Sequence, residues 1–181
     1  MPLPTLKGEL INIRQLRRSD AESITKHAND ARVAKYLPML PHPYSLKDAH
    51  EYINSSFRKA RKKTCYYFGI ELPESGEIIG GISLRNINLP DSNAETGYML
   101  GRKFWGRGYA SEALQLVLRF AFVELDLHRV YAVVQETNKA SIKMLERAGF
   151  THESVMREAN RMNNRWHDVY SYGILKDEFG G

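Results

Sequence analysis

Ile11 and Ile13 alternate with Leu10 and Asn12, and this period of two predicts a first strand over residues 10–16, ended by the polar run Arg17-Arg18-Ser19-Asp20. Ser19 or Asp20 is placed to cap a helix running to about residue 28. A proline-rich bend follows (Pro38, Pro41, Pro43), and a second helix is predicted from about Ser45 toward Lys62. Residues 65–72 are aromatic and apolar, Pro73-Glu74-Ser75-Gly76 has turn chemistry, and residues 78–84 are apolar again, which together read as a hairpin. A further strand is predicted over residues 94–100. In residues 109–125, Leu114, Val117, Leu118, Ala121, Phe122 and Leu125 fall on one face at helical spacing, so this long helix buries a stripe. Residues 130–134 form a short β-branched run of buried-strand type, and residues 139–148 a helix closed by Gly149. Two last strands, 151–161 and 165–175, flank Asn163-Asn164, a pair that tolerates the positive φ of a tight turn. The expectation is one α/β domain over residues 1–181, with hairpins around a single strand-helix-strand crossover.

Composition narrows the class. With 181 residues and 43% hydrophobic side chains the chain has the material for a sizeable core, which argues against intrinsic disorder. No stretch approaches the roughly 18 consecutive apolar residues that cross a bilayer, and the first residues lack the apolar run of a signal peptide, so the expected location is the cytoplasm. A single cysteine, Cys65, forms no internal disulfide, and the six histidines have no paired ligand spacing, so no metal site is expected. The net charge of +5 fits an anionic cofactor, a nucleic-acid neighbour or mere solubility, and no recognition helix or stacking motif favours nucleic acid.

Chemistry concentrates in Gly101-Arg102-Lys103-Phe104-Trp105-Gly106-Arg107-Gly108-Tyr109-Ala110, which joins a predicted strand to the start of the long helix. Free N–H groups at a helix start favour an anion, and glycines let a phosphate approach the backbone. An ordinary tight turn would use the same glycines. There is no Gly-Lys-Ser/Thr of a P-loop, and Gly106-Arg107-Gly108 lacks the third glycine and first-strand position of a dinucleotide fold.

Taken with Asn138-Lys139-Ala140-Ser141 through Gly149-Phe150, the loop resembles the GNAT superfamily of acyl-CoA-dependent N-acyltransferases. The pyrophosphate pattern Arg/Gln-x-x-Gly-x-Gly/Ala aligns with Trp105-Gly106-Arg107-Gly108-Tyr109-Ala110, where Trp105 stands in place of Arg or Gln. Within it, the chain is most similar to the ribosomal-protein N-terminal acetyltransferases of the RimJ and RimL types. That likeness rests also on residues 10–16 with Asp20, Pro43-Tyr44-Ser45, Asp48-Ala49, Glu95-Thr96-Gly97-Tyr98, Ser111-Glu112-Ala113 and Trp166-His167-Asp168.

The resemblance implies a mixed sheet splayed between the strands at 94–100 and 130–134, with the pantetheine arm of acetyl-CoA inserted as a pseudo-strand. Backbone of Met99, Leu100 and Gly101 would pair with that arm. Lys103, Trp105, Gly106, Arg107, Gly108, Tyr109 and Ala110 would cradle the phosphates, and Asn138 and Ser141 would hold the cofactor from the other side. Acetyl transfer needs an unprotonated amine, a polarised thioester carbonyl and a proton for the thiolate. Glu95 is the candidate for taking the amine proton, the Leu100 N–H for polarising the carbonyl and Ser141 for donating to sulfur, with Tyr98 a weaker candidate. Cys65 reads as core rather than nucleophile. Tyr36, His42, Tyr44, Glu95, Trp166 and Asp168 are candidate walls of an amine pocket. The implied acceptor is a protein or peptide N-terminus, such as that of a ribosomal protein. Alternatives are a small amine (polyamine or antibiotic) or a noncatalytic acyl-CoA-binding or ribosome-associated module. No direct contact with nucleic acid or membrane is expected, and the assembly is left open between monomer and homodimer.

Overall fold

The computed structural model describes residues 3–37, 40–162 and 164–180. Of the sequence features above, Pro38 and Asn163 lie outside the described residues. Eight strands form one sheet: β1 (Leu6–Lys7), β2 (Asn12–Gln15), β3 (Tyr66–Glu71), β4 (Ile78–Asn88), β5 (Asn93–Leu100), β6 (Arg129–Gln135), β7 (Thr151–Met162) and β8 (Arg165–Leu175). Their order is β1-β2-β3-β4-β5-β6-β8-β7. Every neighbouring pair is antiparallel except β5 and β6, whose parallel contact follows from the helical crossover between them.

The helices are α1 (Ala21–Ala28), α2 (Ala31–Ala34), α3 (Leu46–Arg61), α4 (Tyr109–Arg119) and α5 (Lys139–Arg147). They cover both faces of the sheet. On one face Leu114, Val117 and Leu118 of α4 and Ile142 and Leu145 of α5 join Phe68, Ile82, Leu84 and Val130 in the main cluster. On the other, Ile24 and Ala28 of α1 and Ala49 and Ile53 of α3 pack with Leu16 and Ile78. Cys65 is buried and burial raises its thiol pKa, so it is a core residue with little thiolate character.

Local chemistry sets the ends of these elements, in places differently from the sequence expectation. Ser45 caps α3, its hydroxyl accepting from the Asp48 N–H at 3.2 Å while the Asp48 carboxylate accepts from the Ser45 N–H at 2.8 Å. Asp20 does not cap α1. Its carboxylate accepts instead from the Arg17 N–H at 2.6 Å and from both terminal nitrogens of the buried Arg14 guanidinium. The long helix is α-helical only to Arg119; its last turn widens, and the Leu125 N–H reaches back five residues to the Phe120 carbonyl. Strand β4 runs four residues past the predicted end at Leu84, which brings Arg85 into the sheet directly opposite Glu95. β1 and the short α2 were not foreseen.

Candidate active site

The site begins where two strands part. β5 and β6 pair only at Asn93 with Arg129, Ala94 with Val130 and Glu95 with Tyr131. Beyond that rung β5 stays on β4 as far as Leu100, and β6 stays on β8 as far as Gln135. An opening therefore runs through the middle of the sheet, as the resemblance implied.

The pleat decides which backbone groups face it. The Gly101 N–H donates to the Ile79 carbonyl at 2.8 Å, so Gly101, and by alternation Met99, turn their amides toward β4. Leu100 and Tyr98 point the other way, into the opening. Of the three residues expected to pair with an inserted arm, Leu100 alone has its N–H so placed. Its carbonyl accepts the Trp105 indole Nε1–H at 2.8 Å. Tyr98, which sequence reasoning ranked low, has its backbone on this edge.

At the end of β5 the chain makes a short turn, Arg102–Phe104, and enters α4 through Gly106 and Gly108 with φ of +73° and +83°. Both lie in the left-handed region, where a side chain is strained. The first α4 turn has the free N–H groups of any helix start, and nothing lies within 4 Å of a Cβ built at Gly106. Such a turn could hold a diphosphate, with Tyr109 and Ala110 in the helix's first turn and Arg107 exposed beside it. Lys103 turns elsewhere: its ammonium is 3.8 Å from Glu77 Oε1 and 4.7 Å from the centre of the Phe104 ring.

Glu112 gives the loop its floor. Its carboxylate accepts from three successive backbone N–H groups, Glu9 at 2.7 Å, Leu10 at 3.0 Å and Ile11 at 2.8 Å. A negative side chain beside a phosphate site would repel the ligand; here three peptide dipoles answer its charge, and the β1–β2 connection is fixed under Gly108.

Across the opening, Asn138 caps α5 by accepting from the Ser141 N–H at 3.3 Å. Ser141 is buried, and its side chain lies beside the Tyr98 phenol. Burial holds the Tyr98 hydroxyl above its ordinary pKa, so it keeps its proton at neutral pH.

On the α3 side of β5, Glu95 is buried and both its oxygens are engaged, Oε1 by Arg85 Nη2 at 2.5 Å and Oε2 by Asn86 Nδ2 at 2.8 Å. Gly97, two residues on, has no side chain, and the Arg85 guanidinium occupies that space, with Nη2 3.5 Å from where a Cβ would sit. Among the described residues two buried side-chain polar atoms have no hydrogen-bond partner, Arg85 Nε and Thr96 Oγ1. They flank Glu95, at the last rung before the strands part.

The remaining predicted residues are dispersed. Tyr44 is buried against α1 and α3, its N–H donating to Asn29 Oδ1, and burial pushes its hydroxyl pKa up to about 12. Tyr36 carries the Lys35 ammonium 5.2 Å over its ring, and His42 is exposed. Trp166 is exposed on the β7–β8 hairpin with Arg161 5.5 Å from its ring, and Asp168 accepts the Glu158 N–H at 2.8 Å across that hairpin. Among the described residues no hydrogen bond, ion pair or aromatic contact joins Trp166 or Asp168 to Tyr36, His42 or Tyr44. An open depression of about 360 Å³ instead lies between α2 and the turn after β5, lined by Asp30, Arg32, Arg102, Lys103 and Trp105. No three His, Cys, Asp or Glu side chains gather into a metal-binding group among the described residues, and no helix there is long and apolar enough to cross a membrane.

Comparison with known proteins identifies the family and the fold. The family model described as an acetyltransferase (GNAT) domain matches residues 11–151. A Bacillus subtilis protein provisionally named as the ribosomal N-acetyltransferase YdaF is 33% identical over 96% of each chain. Spermidine N-acetyltransferase from Vibrio cholerae, solved with CoA and spermine, superposes with a TM-score of 0.83 at 25% identity, covering 94% of this chain and 98% of its own. The fold is equally that of a RimL ribosomal L7/L12 α-N-protein acetyltransferase solved with coenzyme A, with a TM-score of 0.88 at 21% identity, covering 95% and 98% of the two chains.

Proposed function

The chain belongs to the GNAT family of acetyl-CoA-dependent N-acetyltransferases, and on that premise we propose that its acceptor is the α-amine of a protein or peptide N-terminus. The cofactor is acetyl-CoA. The residues present fit it: the Gly106–Gly108 cradle would take the diphosphate, and the Leu100 N–H faces the opening where the pantetheine amides need partners. Unpaired strand groups are costly when buried, so a ligand that pairs with them gains affinity from that cost. The acceptor nitrogen attacks the thioester carbonyl carbon, the C–S bond breaks, and the departing sulfur takes a proton. In this reading Tyr98 or Ser141 would supply that proton, Glu95 would take one from the amine directly or through water, and the Leu100 N–H would polarise the carbonyl. Holding both reactants in one cleft contributes on the order of 7 to 11 kcal/mol without a covalent intermediate.

One observation carries the choice of acceptor. A polyamine is a multiple cation and calls for carboxylates, yet the open depression at the end of β5, read here as an approach for the acceptor, is lined predominantly by basic side chains. Arg32, Arg102 and Lys103 line it beside Trp105, and among the described residues its one lining carboxylate, Asp30, is already paired with Arg32 at 3.2 Å. Arg85 neutralises Glu95. The provisional ribosomal assignment of YdaF supports the same reading. The test is thiol release from acetyl-CoA with a panel of N-terminal peptides against spermidine. Turnover of peptides with little of spermidine is expected; turnover of spermidine alone would replace this reading with small-amine acetylation.

A further inference from the structure

We propose that the open depression at the end of β5 reads acidic side chains in the acceptor, so that the enzyme favours N-terminal segments carrying Asp or Glu just behind the reacting amine. The inference rests on the N-terminal reading above and names the chemistry of the segment that follows the amine. Arg32, Arg102, Lys103 and Trp105 line the depression with a single carboxylate, Asp30. Arg32 is answered by Asp30 at 3.2 Å, and Lys103 stands 3.8 Å from Glu77 Oε1. That oxygen is already shared with Lys26 at 3.0 Å and His27 at 2.9 Å, so it neutralises Lys103 only in part. Arg102 is exposed and enters no ion pair among the described residues. A concave site with a surplus of cations is complementary to an anionic segment.

The position suits this role. Leu100, whose N–H faces the opening, lies two residues before Arg102, and the Trp105 indole that lines the depression donates to the Leu100 carbonyl at 2.8 Å. The turn beneath is firmly seated. His27 of α1 packs so close to Gly101 that a Cβ there would lie 2.9 Å from its imidazole, and that ring meets Phe104 edge-on with 5.1 Å between centres. An extended peptide advances roughly 3.3 Å per residue, so an acceptor whose amine reacts beside Leu100 and which leaves by this end lays its next few residues across Arg102 and Lys103. The cofactor leaves these cations free for that purpose. Its proposed diphosphate site is built on the α4 side, from Gly106 to Ala110 with Arg107, whereas Arg102 and Lys103 line the depression toward α2. Trp105 is 43% exposed and adds an apolar wall for the peptide.

The test uses short alanine-terminated peptides that differ only in the residues just behind the N-terminus, which are Glu, Gln or Lys. For the wild-type enzyme at low salt, kcat/KM should fall in the order Glu, Gln, Lys, by roughly three- to tenfold from Glu to Gln and mainly through the peptide KM. The spread should shrink in about 0.5 M salt, because the charges are exposed. Arg102→Glu sets two carboxylates against two cations in the lining, so it should bring the Glu and Lys peptides to near equality with the KM for acetyl-CoA unchanged. A phosphate of the cofactor is the other source of negative charge that this site could take. In that case Arg102→Glu raises the KM for acetyl-CoA and erases the preference for acetyl-CoA over its 3′-dephospho form, with the peptide order intact, and the proposal is overturned. Equal kcat/KM for the three peptides in the wild-type enzyme overturns it as well while leaving N-terminal acetylation standing, and needs no variant to fold. Failure of every peptide alongside turnover of spermidine removes the N-terminal reading and this proposal with it.

Discussion

The indole Nε1–H of Trp105 donates to the backbone carbonyl of Leu100 at 2.8 Å, tying the phosphate loop to the strand end that lines the opening. The Arg or Gln of the family pattern is thus replaced by a side chain that orders the loop from inside. Trp105→Phe keeps the ring and removes the donor. The lost bond should lower stability by about 1 kcal/mol and raise the KM for acetyl-CoA several-fold, with the KM for the acceptor little changed. Urea unfolding and steady-state kinetics check the two parts; an unaltered acetyl-CoA KM would mean the loop needs no such tie.

Gly108→Asp places a carboxylate where a diphosphate is expected, on a residue whose φ is +83°. Gly108→Ala separates the causes, because it keeps the backbone strain, about 1–2 kcal/mol, and adds no charge. Stabilisation of the folded protein by acetyl-CoA in thermal unfolding should fall in the alanine variant and vanish in the aspartate variant. Equal shifts in all three proteins would place the phosphates elsewhere.

Glu112→Gln removes a charge and puts an amide NH2 against backbone donors at Glu9, Leu10 and Ile11. Stability should drop by about 1–2 kcal/mol, and the acetyl-CoA KM should rise because the floor under Gly108 loosens. If the KM rises with no change in stability, the carboxylate acts on the ligand directly instead of through the β1–β2 connection.

Tyr98 and Ser141 are neighbours on the two sides of the opening, so their substitutions should not be additive if they act on the same sulfur. We expect Tyr98→Phe and Ser141→Ala each to lower kcat at nearly constant KM values, and the double variant to lose little more than the worse single one. Full additivity would show that the two act independently and not as a pair on the leaving sulfur.

His27 and Glu77, joined at 2.9 Å beside Lys26 and Lys103, should contribute to acid sensitivity. Glu77 is held at a pKa of about 2 by the hydrogen bonds of His27 and Lys26, well below its ordinary 4.5. Its contribution to stability is complete above about pH 4.5 and is lost as the pH falls toward 2. Burial holds the His27 imidazole below its ordinary 6.5 despite the carboxylate, so protonation costs stability as the pH falls below that value. Both effects have the same sign. Glu77→Gln should be less stable at neutral pH and show a flatter loss between pH 4.5 and 2; an unchanged acid limb would assign it to other carboxylates.

Local periodicity made the strand-helix-strand crossover and the glycine loop legible, because each is written in residues close along the chain. The site's other half is not. The apolar run ends at Leu84, so the polar residues Arg85 and Asn86 read as leaving the strand, although the sheet carries them on to meet Glu95 from the next strand. Glu112 reads as ordinary first-turn helix polarity; its partners lie about a hundred residues earlier and are backbone groups, which leave no mark on the pattern. The aromatic and acidic residues picked for the acceptor pocket were chosen by type. Tyr44 proves to be core, and Asp168 braces its own hairpin.

The three-rung contact between β5 and β6 makes the sheet mechanically two blades on a short hinge. One blade is β1 to β5 and the other β6, β8 and β7. A cofactor lying between the blades would act as a splint as much as a reactant. Amides of Tyr98 and Leu100 should then exchange with solvent far more slowly once acetyl-CoA is bound, while those at Ala94, on the hinge itself, should change least.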